Sequence, residues 1–419
     1  MDLIWGWVST PNTRGTIEIL YSSLTTIYLC TWTSLCLNIP QPGTRRWRFG
    51  LYKFRWQLFT IFFPEVLVAT AAEQWISARQ SVPQFAAISH HEWTMRHGFF
   101  ADMGGIKVAP PDSEPFPVDS QQLAYLVKHK YLAMPHISTD DIRNVNKADE
   151  LARAVTFLQM AWFSLVCVAR GVTRVGLSPL ELTTLAFILC TLHTFFFWYY
   201  KPLDPNYPRV LSMDTPVSQV RRDAGAEEPY TRTPLDFVKP PPDPRSLITP
   251  FWFGFGVVFD FGEEARPRPA QTLANSKTIP AEGIGWGMMV YLIFFQAMYY
   301  GLHLAVAWTM SFPSKIEWFL WTVSNFTEFG LIAVYILALP LGTHFAPFIA
   351  RNVFKARASS ILEVASMLPY WAKLLVHGPF VFAYIVARMV VLTESIITLR
   401  ALPAVIYQDV NWSSFLPHI

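Results

Sequence analysis

Residues 318–341, WFLWTVSNFTEFGLIAVYILALPL, are long enough to cross a bilayer as one helix at ~1.5 Å per residue, yet carry Asn325 and Glu328 near the middle. A carboxylate at that depth costs at least ~2.5 kcal/mol, so the fold must give it a partner or a polar surrounding. Helical spacing puts Trp321, Asn325, Glu328 and Tyr335 on one face, at steps of four, three and seven residues. The other faces are aliphatic, Phe or small hydroxyl residues. Two solutions satisfy such a helix: a cavity lined by several helices, or an interhelical hydrogen bond that holds a bundle together. Glu328 alone does not choose between them.

Composition sets the class. With 52% hydrophobic, 16% aromatic and 15% charged residues in 419, the chain reads as an all-α, polytopic transmembrane bundle forming a single integral membrane domain over 1–419. A net charge of +3 without a basic, aromatic-interleaved patch argues against a nucleic-acid partner. Cys30, Cys36, Cys167 and Cys190 all fall in apolar runs without a CxxC pair, so neither a disulfide framework nor zinc is indicated. The N-terminal stretch lacks the basic and apolar regions of a cleavable signal, which leaves targeting to the first span.

Length and apolarity give about seven spans, seven or eight, at 17–37, 56–76, 152–172, 180–200, 286–308, 318–341 and 374–395. Between the first two lie Arg45, Arg46, Arg48, Lys53 and Arg55 with no acid, a cytoplasmic marker by the positive-inside rule. Alternation places Arg170 and Arg174 on the same side. It also places 342–373, with Arg351, Lys355, Arg357 and Lys373, on the opposite one. That conflict leaves open an extra span or a helix lying along the surface. Residues 77–150 read as a polar, interfacial loop and 201–285 as a Pro-rich loop, the latter too poor in apolar residues to build a core of its own. The run 251–261, FWFGFGVVFDF, is too short to cross and is expected at the interface.

Ionisable residues inside the spans are the candidates for function. Pro64 and Glu65 sit at mid-depth in the second span, a place for a kink. Glu73 follows eight residues later, about 80° round and ~12 Å along the axis. In the fifth span Gln296, Tyr299, Tyr300 and His303 share an arc of about 100°. In the seventh, His377, Tyr384 and Arg388 share a face, and Arg388 is expected to seek a carboxylate on another helix, with Glu328 the natural choice. His193, alone in an apolar run, reads as a packing residue. The cluster His90, His91, His97 has no established metal spacing.

Several stretches resemble a large group of fungal multi-pass membrane proteins. They are PEVLVATAAEQWISAR at 64–79, HGFFADMGG at 97–105, LELTTLAFILCTLHTFFFWYYKPLD at 180–204 and ARMVVLTESIITLRALPAVIYQDVNWSSFLPHI at 387–419. Some members of this type, or neighbours to it, are meroterpenoid cyclases of biosynthetic clusters. The resemblance implies a type II cyclase in the endoplasmic reticulum membrane that protonates an olefin or epoxide of a farnesyl-type chain. No cofactor or metal is implied, and the partners are the bilayer and a lipophilic small molecule.

The residues are compatible with that chemistry. Proton-initiated cyclisation needs a carboxylic acid in a dry site, for which Glu328 and Glu65 are the candidates. Aromatic faces to shield a cation would come from Trp321, Tyr335, Tyr299, Tyr300 and Tyr384, with Asn325, Gln296 and Arg388 lining the same site. A base for the last proton would be His303 or His377. A transporter or accessory protein of a biosynthetic cluster would use the same lining, although no internal repeat is visible. A membrane-bound acyltransferase lacks its HxxxD arrangement here, and a prenyltransferase its paired Asp-rich motifs.

Overall fold

The computed structural model describes residues 3–10, 14–41, 43–135, 137–139, 142, 147–202, 208–226, 229–230, 232–238, 268–273, 275, 286–310, 312–357, 364 and 367–410. Within them the chain is mostly helical. The long helices are α1 (Thr16–Thr33), α2 (Arg46–Phe62), α3 (Pro64–Ala87), α6 (Lys147–Val172), α7 (Pro179–Phe197), α9 (Trp286–Thr309), α10 (Lys315–Ile349) and α11 (Tyr370–Ile397). Four segments, Leu151–Val172, Pro179–Phe197, Val290–Trp308 and Trp371–Arg400, are long and apolar enough to cross a membrane. They coincide with four of the seven expected spans.

The expected span 56–76 is not one helix. Pro64 has no N–H to offer the preceding turn and disfavours helical geometry at Phe63, which adopts φ −135° and ψ 56°. The chain ends α2 there and starts α3 with Pro64 in its first turn, where the missing donor is harmless. Helix α3 is the centre of the molecule. Most of its 24 residues are buried, including Glu65 and Glu73, and it packs against α2, α7, α9 and two short helices, α4 (Met95–Asp102) and α5 (Ser120–Lys128).

The described parts of 77–150 and 201–285 fold together. Strand β2 (Ile106–Ala109) pairs antiparallel with β3 (Phe116–Pro117) and, on its other edge, parallel with β4 (Arg209–Ser212), about a hundred residues away. Phe85, Trp93, Phe100, Ile106, Val108 and Phe116 share one core with Met213, Val217, Val220 and Leu235. The 201–285 segment contributes a strand, a short helix α8 (Val217–Asp223) and a few apolar anchors to a core that its partner mostly supplies. The run 251–261 lies outside the described residues. In 342–373, α10 continues to Ile349, a π-turn follows at Ala350–Phe354, and Lys355 closes it in the left-handed region with φ 52°.

The HGFFADMGG stretch holds this unit to α3. His97 Nδ1 accepts from the Thr94 N–H at 3.1 Å, completing a capping box at the start of α4. Asp102 accepts from Ser77 Oγ at 2.7 Å and from Ser120 N and Oγ at 3.0 and 2.8 Å, tying α3, α4 and α5 at one point. A Cβ at Gly98 would stand 2.9 Å from the Ala78 carbonyl oxygen and 3.0 Å from its Cα. His97 thus has a structural task.

Distant segments close the helix ends. Ser178 and Glu181 form a capping box on α7, and Arg14 donates to Glu181 Oε1 at 2.6 Å. Buried Arg170 donates to the carbonyls of Gly176, Ile406 and Gln408 at 3.0, 2.6 and 3.0 Å. Strand β1 (Leu3–Trp5) pairs antiparallel with β5 (Ala401–Pro403), so the two described ends meet.

Gly98→Ala is expected to lower the unfolding midpoint of the detergent-solubilised protein by the equivalent of roughly 1–3 kcal/mol, because the clash is with backbone. Gly50→Ala, on the exposed side of α2 with open space around its Cβ, is expected to leave it unchanged or raise it by at most about 1 kcal/mol. Thermal unfolding of the two variants, followed by helical circular dichroism, makes the comparison.

Candidate functional site

Three helices bring their polar faces to the beginning of α3. Glu65 lies in its first turn, where free N–H groups and the helix dipole favour a carboxyl group. Tyr384 of α11 donates a hydrogen bond to Glu65 Oε1, and Tyr300 of α9 approaches the same oxygen at 3.4 Å. Glu65 Oε2 has no hydrogen-bond partner among the described residues.

One turn beyond Tyr384, Arg388 is completely buried. Its Nη1 lies 3.6 Å from Glu328 Oε2 of α10, which is also completely buried. The expected cross-helix ion pair is therefore present, at a separation too long for a direct hydrogen bond. Both Glu328 oxygens and all three guanidinium nitrogens lack hydrogen-bond partners among the described residues. The guanidinium instead stands over two rings, Phe187 of α7 and Tyr299 of α9, each 5.7 Å from its centre.

Aromatic rings continue the wall. Tyr299 and Tyr300 meet edge to face at 5.1 Å, His303 follows at 4.8 Å from Tyr299, and Trp321 stacks beyond it at 6.4 Å. Trp321 Nε1 donates to the His303 carbonyl at 3.0 Å, and Asn325 Nδ2 donates to the Trp321 carbonyl at 2.8 Å. His303 Nδ1 lies 3.1 Å from the Tyr299 carbonyl oxygen. A carbonyl can only accept, so Nδ1 carries the hydrogen, and the neutral ring has its lone pair on Nε2. That Nε2, the Tyr299 hydroxyl and Asn325 Oδ1 are buried without partners among the described residues. Phe63 stacks on Tyr384 at 5.3 Å, and Phe329 meets Tyr300 at 5.8 Å.

Of the residues singled out from the sequence, Glu65, Glu328, Arg388, Tyr299, Tyr300, Tyr384, His303, Trp321 and Asn325 form this connected, buried group. Gln296 is half-buried one turn before Tyr300, with its Oε1 buried and unpartnered among the described residues. His377 is half-buried two turns before Tyr384 and outside the contacts just given. Tyr335 falls on helical backbone whose side chains are not described. Glu73 is buried two turns further along α3. His193 packs as expected, with Nδ1 2.7 Å from the Leu189 carbonyl and its ring against Tyr291 and Phe295. Phe63, Phe187 and Phe329 were not foreseen: a phenylalanine in an apolar run gives no sign of facing a polar site.

This constellation holds two carboxyl groups, one guanidinium, three phenols, an imidazole and an indole out of water. It can supply and accept protons at fixed points along an aromatic wall.

The chain belongs to a family described as a family of unknown function (DUF8562), whose sequence model matches residues 3–220 and 288–419. Every residue of the site falls inside those ranges. No curated protein and no solved structure matches the chain.

Arg388→Met leaves Glu328 buried without its counter-charge and is expected to destabilise the protein by about 3–5 kcal/mol. Adding Glu328→Leu removes the orphaned charge and is expected to recover most of that loss. A double-mutant cycle on thermal stability in detergent gives the comparison.

Proposed function

We propose that this chain is a membrane-embedded terpene cyclase that closes rings on the prenyl chain of a lipophilic substrate by proton initiation. In this reading α1 and α10 cross the bilayer beside the four apolar helices, and the endoplasmic reticulum of a fungus is the expected membrane. The observation that carries the proposal is Glu65: one carboxyl oxygen accepts from two phenols, and the other is buried without a hydrogen-bond partner among the described residues.

Charge balance supports the role. Arginine stays charged in proteins, and Arg388 has two acidic residues around it, so an electrically neutral cluster holds one carboxylate and one carboxylic acid. Glu328 is the direct ion-pair partner, and in this reading Glu65, the acid not paired directly with Arg388, carries the transferable proton. With Oε1 accepting from Tyr384 and Tyr300, that proton belongs on Oε2.

The steps then balance without a further reagent. Oε2–H gives its proton to the terminal alkene carbon of the chain, or to the oxygen of a terminal epoxide whose C–O bond opens. The cation formed is attacked in turn by the internal double bonds, each forming a C–C bond and passing the charge along. Tyr299, Tyr300 and Trp321 present faces that stabilise it by about 0.5–2 kcal/mol each, and their packing keeps water away. His303 Nε2 takes the final proton, restoring an alkene, and return of that proton to the Glu65 carboxylate resets the site for the next turnover. The product is an isomer of the substrate. A farnesyl-bearing substrate partitions into the bilayer, which accounts for a site among apolar helices.

Membranes containing the chain, given a farnesylated aromatic acceptor with a terminal olefin or epoxide, are expected to yield a cyclised product of unchanged mass. Glu65→Gln is expected to cut turnover by about 10²–10⁴-fold, the range for losing a general acid. Tyr384→Phe should have a smaller effect, and His303→Ala should change the position of the product double bond. Turnover at the wild-type rate in both Glu65→Gln and Glu328→Gln would remove the acid mechanism.

A further inference from the structure

Helix α2 presents a face that the bundle leaves uncovered. Trp47, Leu51, Phe54 and Leu58 are 61%, 52%, 47% and 42% exposed, and at 100° per residue they fall within an arc of roughly 60°. The opposite side faces the protein: Trp56 packs on the core around α3, Thr60 is buried, and beside them Gln57 Nε2 donates to Thr31 Oγ1 of α1 at 3.3 Å. The cations flank the apolar stripe. Arg46 and Lys53 stand roughly 110–130° to one side of it and Arg48 and Arg55 roughly 70–90° to the other. Arg45 precedes the first turn, and no Asp or Glu occurs from residue 38 to residue 64.

A helix wholly inside hydrocarbon does not carry four cations in its first ten residues. A helix in water does not turn four large apolar side chains outward in one line. Both features fit a helix lying in the plane of the interface, with its stripe in the acyl boundary and the stems of Arg46, Arg48 and Arg55 bent up toward phosphates, while the Lys53 ammonium lies over the Trp32 ring of α1 at 5.1 Å. The absence of any acidic residue sets the sign of the partner.

We infer that α2 is an interfacial helix that binds the phosphate headgroups of an anionic phospholipid leaflet. The inference is independent of the catalytic proposal, since it uses none of the site residues. Its occupant is the lipid surface, recognised by charge on both flanks of an apolar stripe.

The native cysteines help the test, because all four are buried and a cysteine placed at Leu51 can be labelled selectively. Full-length Leu51→Cys protein carrying an environment-sensitive fluorophore is reconstituted into vesicles of pure phosphatidylcholine, or of phosphatidylcholine with about one third phosphatidylserine. Lipids carrying a nitroxide near the headgroup or deep in the chain act as quenchers, and iodide reports contact with water. In the anionic vesicles shallow nitroxides are expected to quench strongly, deep ones weakly and iodide little. In pure phosphatidylcholine, or after Arg46→Gln, Arg48→Gln, Lys53→Gln and Arg55→Gln together, shallow quenching should fall at least threefold and iodide quenching should rise. If the fourfold variant does not fold, the two vesicle compositions with the unaltered basic residues decide alone. Dominant quenching by deep nitroxides would make α2 a spanning segment, and dominant quenching by iodide in anionic vesicles a solvated one. Equal shallow quenching in both compositions would remove the headgroup recognition. Any of these three results overturns the inference.

Discussion

Two carboxyl groups and a guanidinium withheld from water constrain everything around them. Desolvating three such groups costs several kcal/mol apiece unless each finds compensation, and the helices α3, α9, α10 and α11 are arranged to provide it. Glu65 has the first turn of α3 and two phenols, Glu328 has Arg388, and Arg388 has two aromatic faces besides. The compensation is incomplete, because several oxygens and nitrogens of the cluster have no hydrogen-bond partner among the described residues. A purely structural network is expected to be closed. An open one suits groups whose second partner is a visiting molecule.

The ends of the bundle show the contrasting case. Glu181 is as deeply buried as Glu328, yet it caps its own helix, accepts from Ser178 and is paired with Arg14 at 2.6 Å. Arg170 is as buried as Arg388, yet it meets three carbonyls in good geometry. The same residue types therefore occur in two states within one chain. Glu181 and Arg170 are better satisfied than the central cluster, although Arg14 Nη1 beside Glu181 is also buried without a hydrogen-bond partner among the described residues.

Much of the site was legible in the sequence because charge inside an apolar run is conspicuous. The stripe of Trp321, Asn325 and Glu328, the arc of Tyr299, Tyr300 and His303, and the pairing of Arg388 with Glu328 all follow from helical period and from the cost of isolated charge. Other parts were not legible, for physical reasons. Pro64 signalled a distortion, but whether it kinks a helix or starts a new one depends on packing at Phe63. His377 shares a helical face with Tyr384 and Arg388 and lies two turns before Tyr384, half-buried. The parallel pairing of β2 with β4 joins segments about a hundred residues apart, and strands this short carry no periodicity to announce it. The 201–285 segment is poor in apolar residues, and it needs few because the facing unit supplies most of the common core.

The break at Phe63 has a mechanical consequence. Phe63 is the joint between α2, with its outward apolar stripe, and α3, which carries Glu65 two residues later; its ring also rests on Tyr384. A proline joint transmits tilt poorly along the backbone but well through a stacked ring. A tilt of α2 relative to α3 would therefore be passed by the Phe63 ring to the phenol that hydrogen-bonds Glu65, at the centre of the molecule.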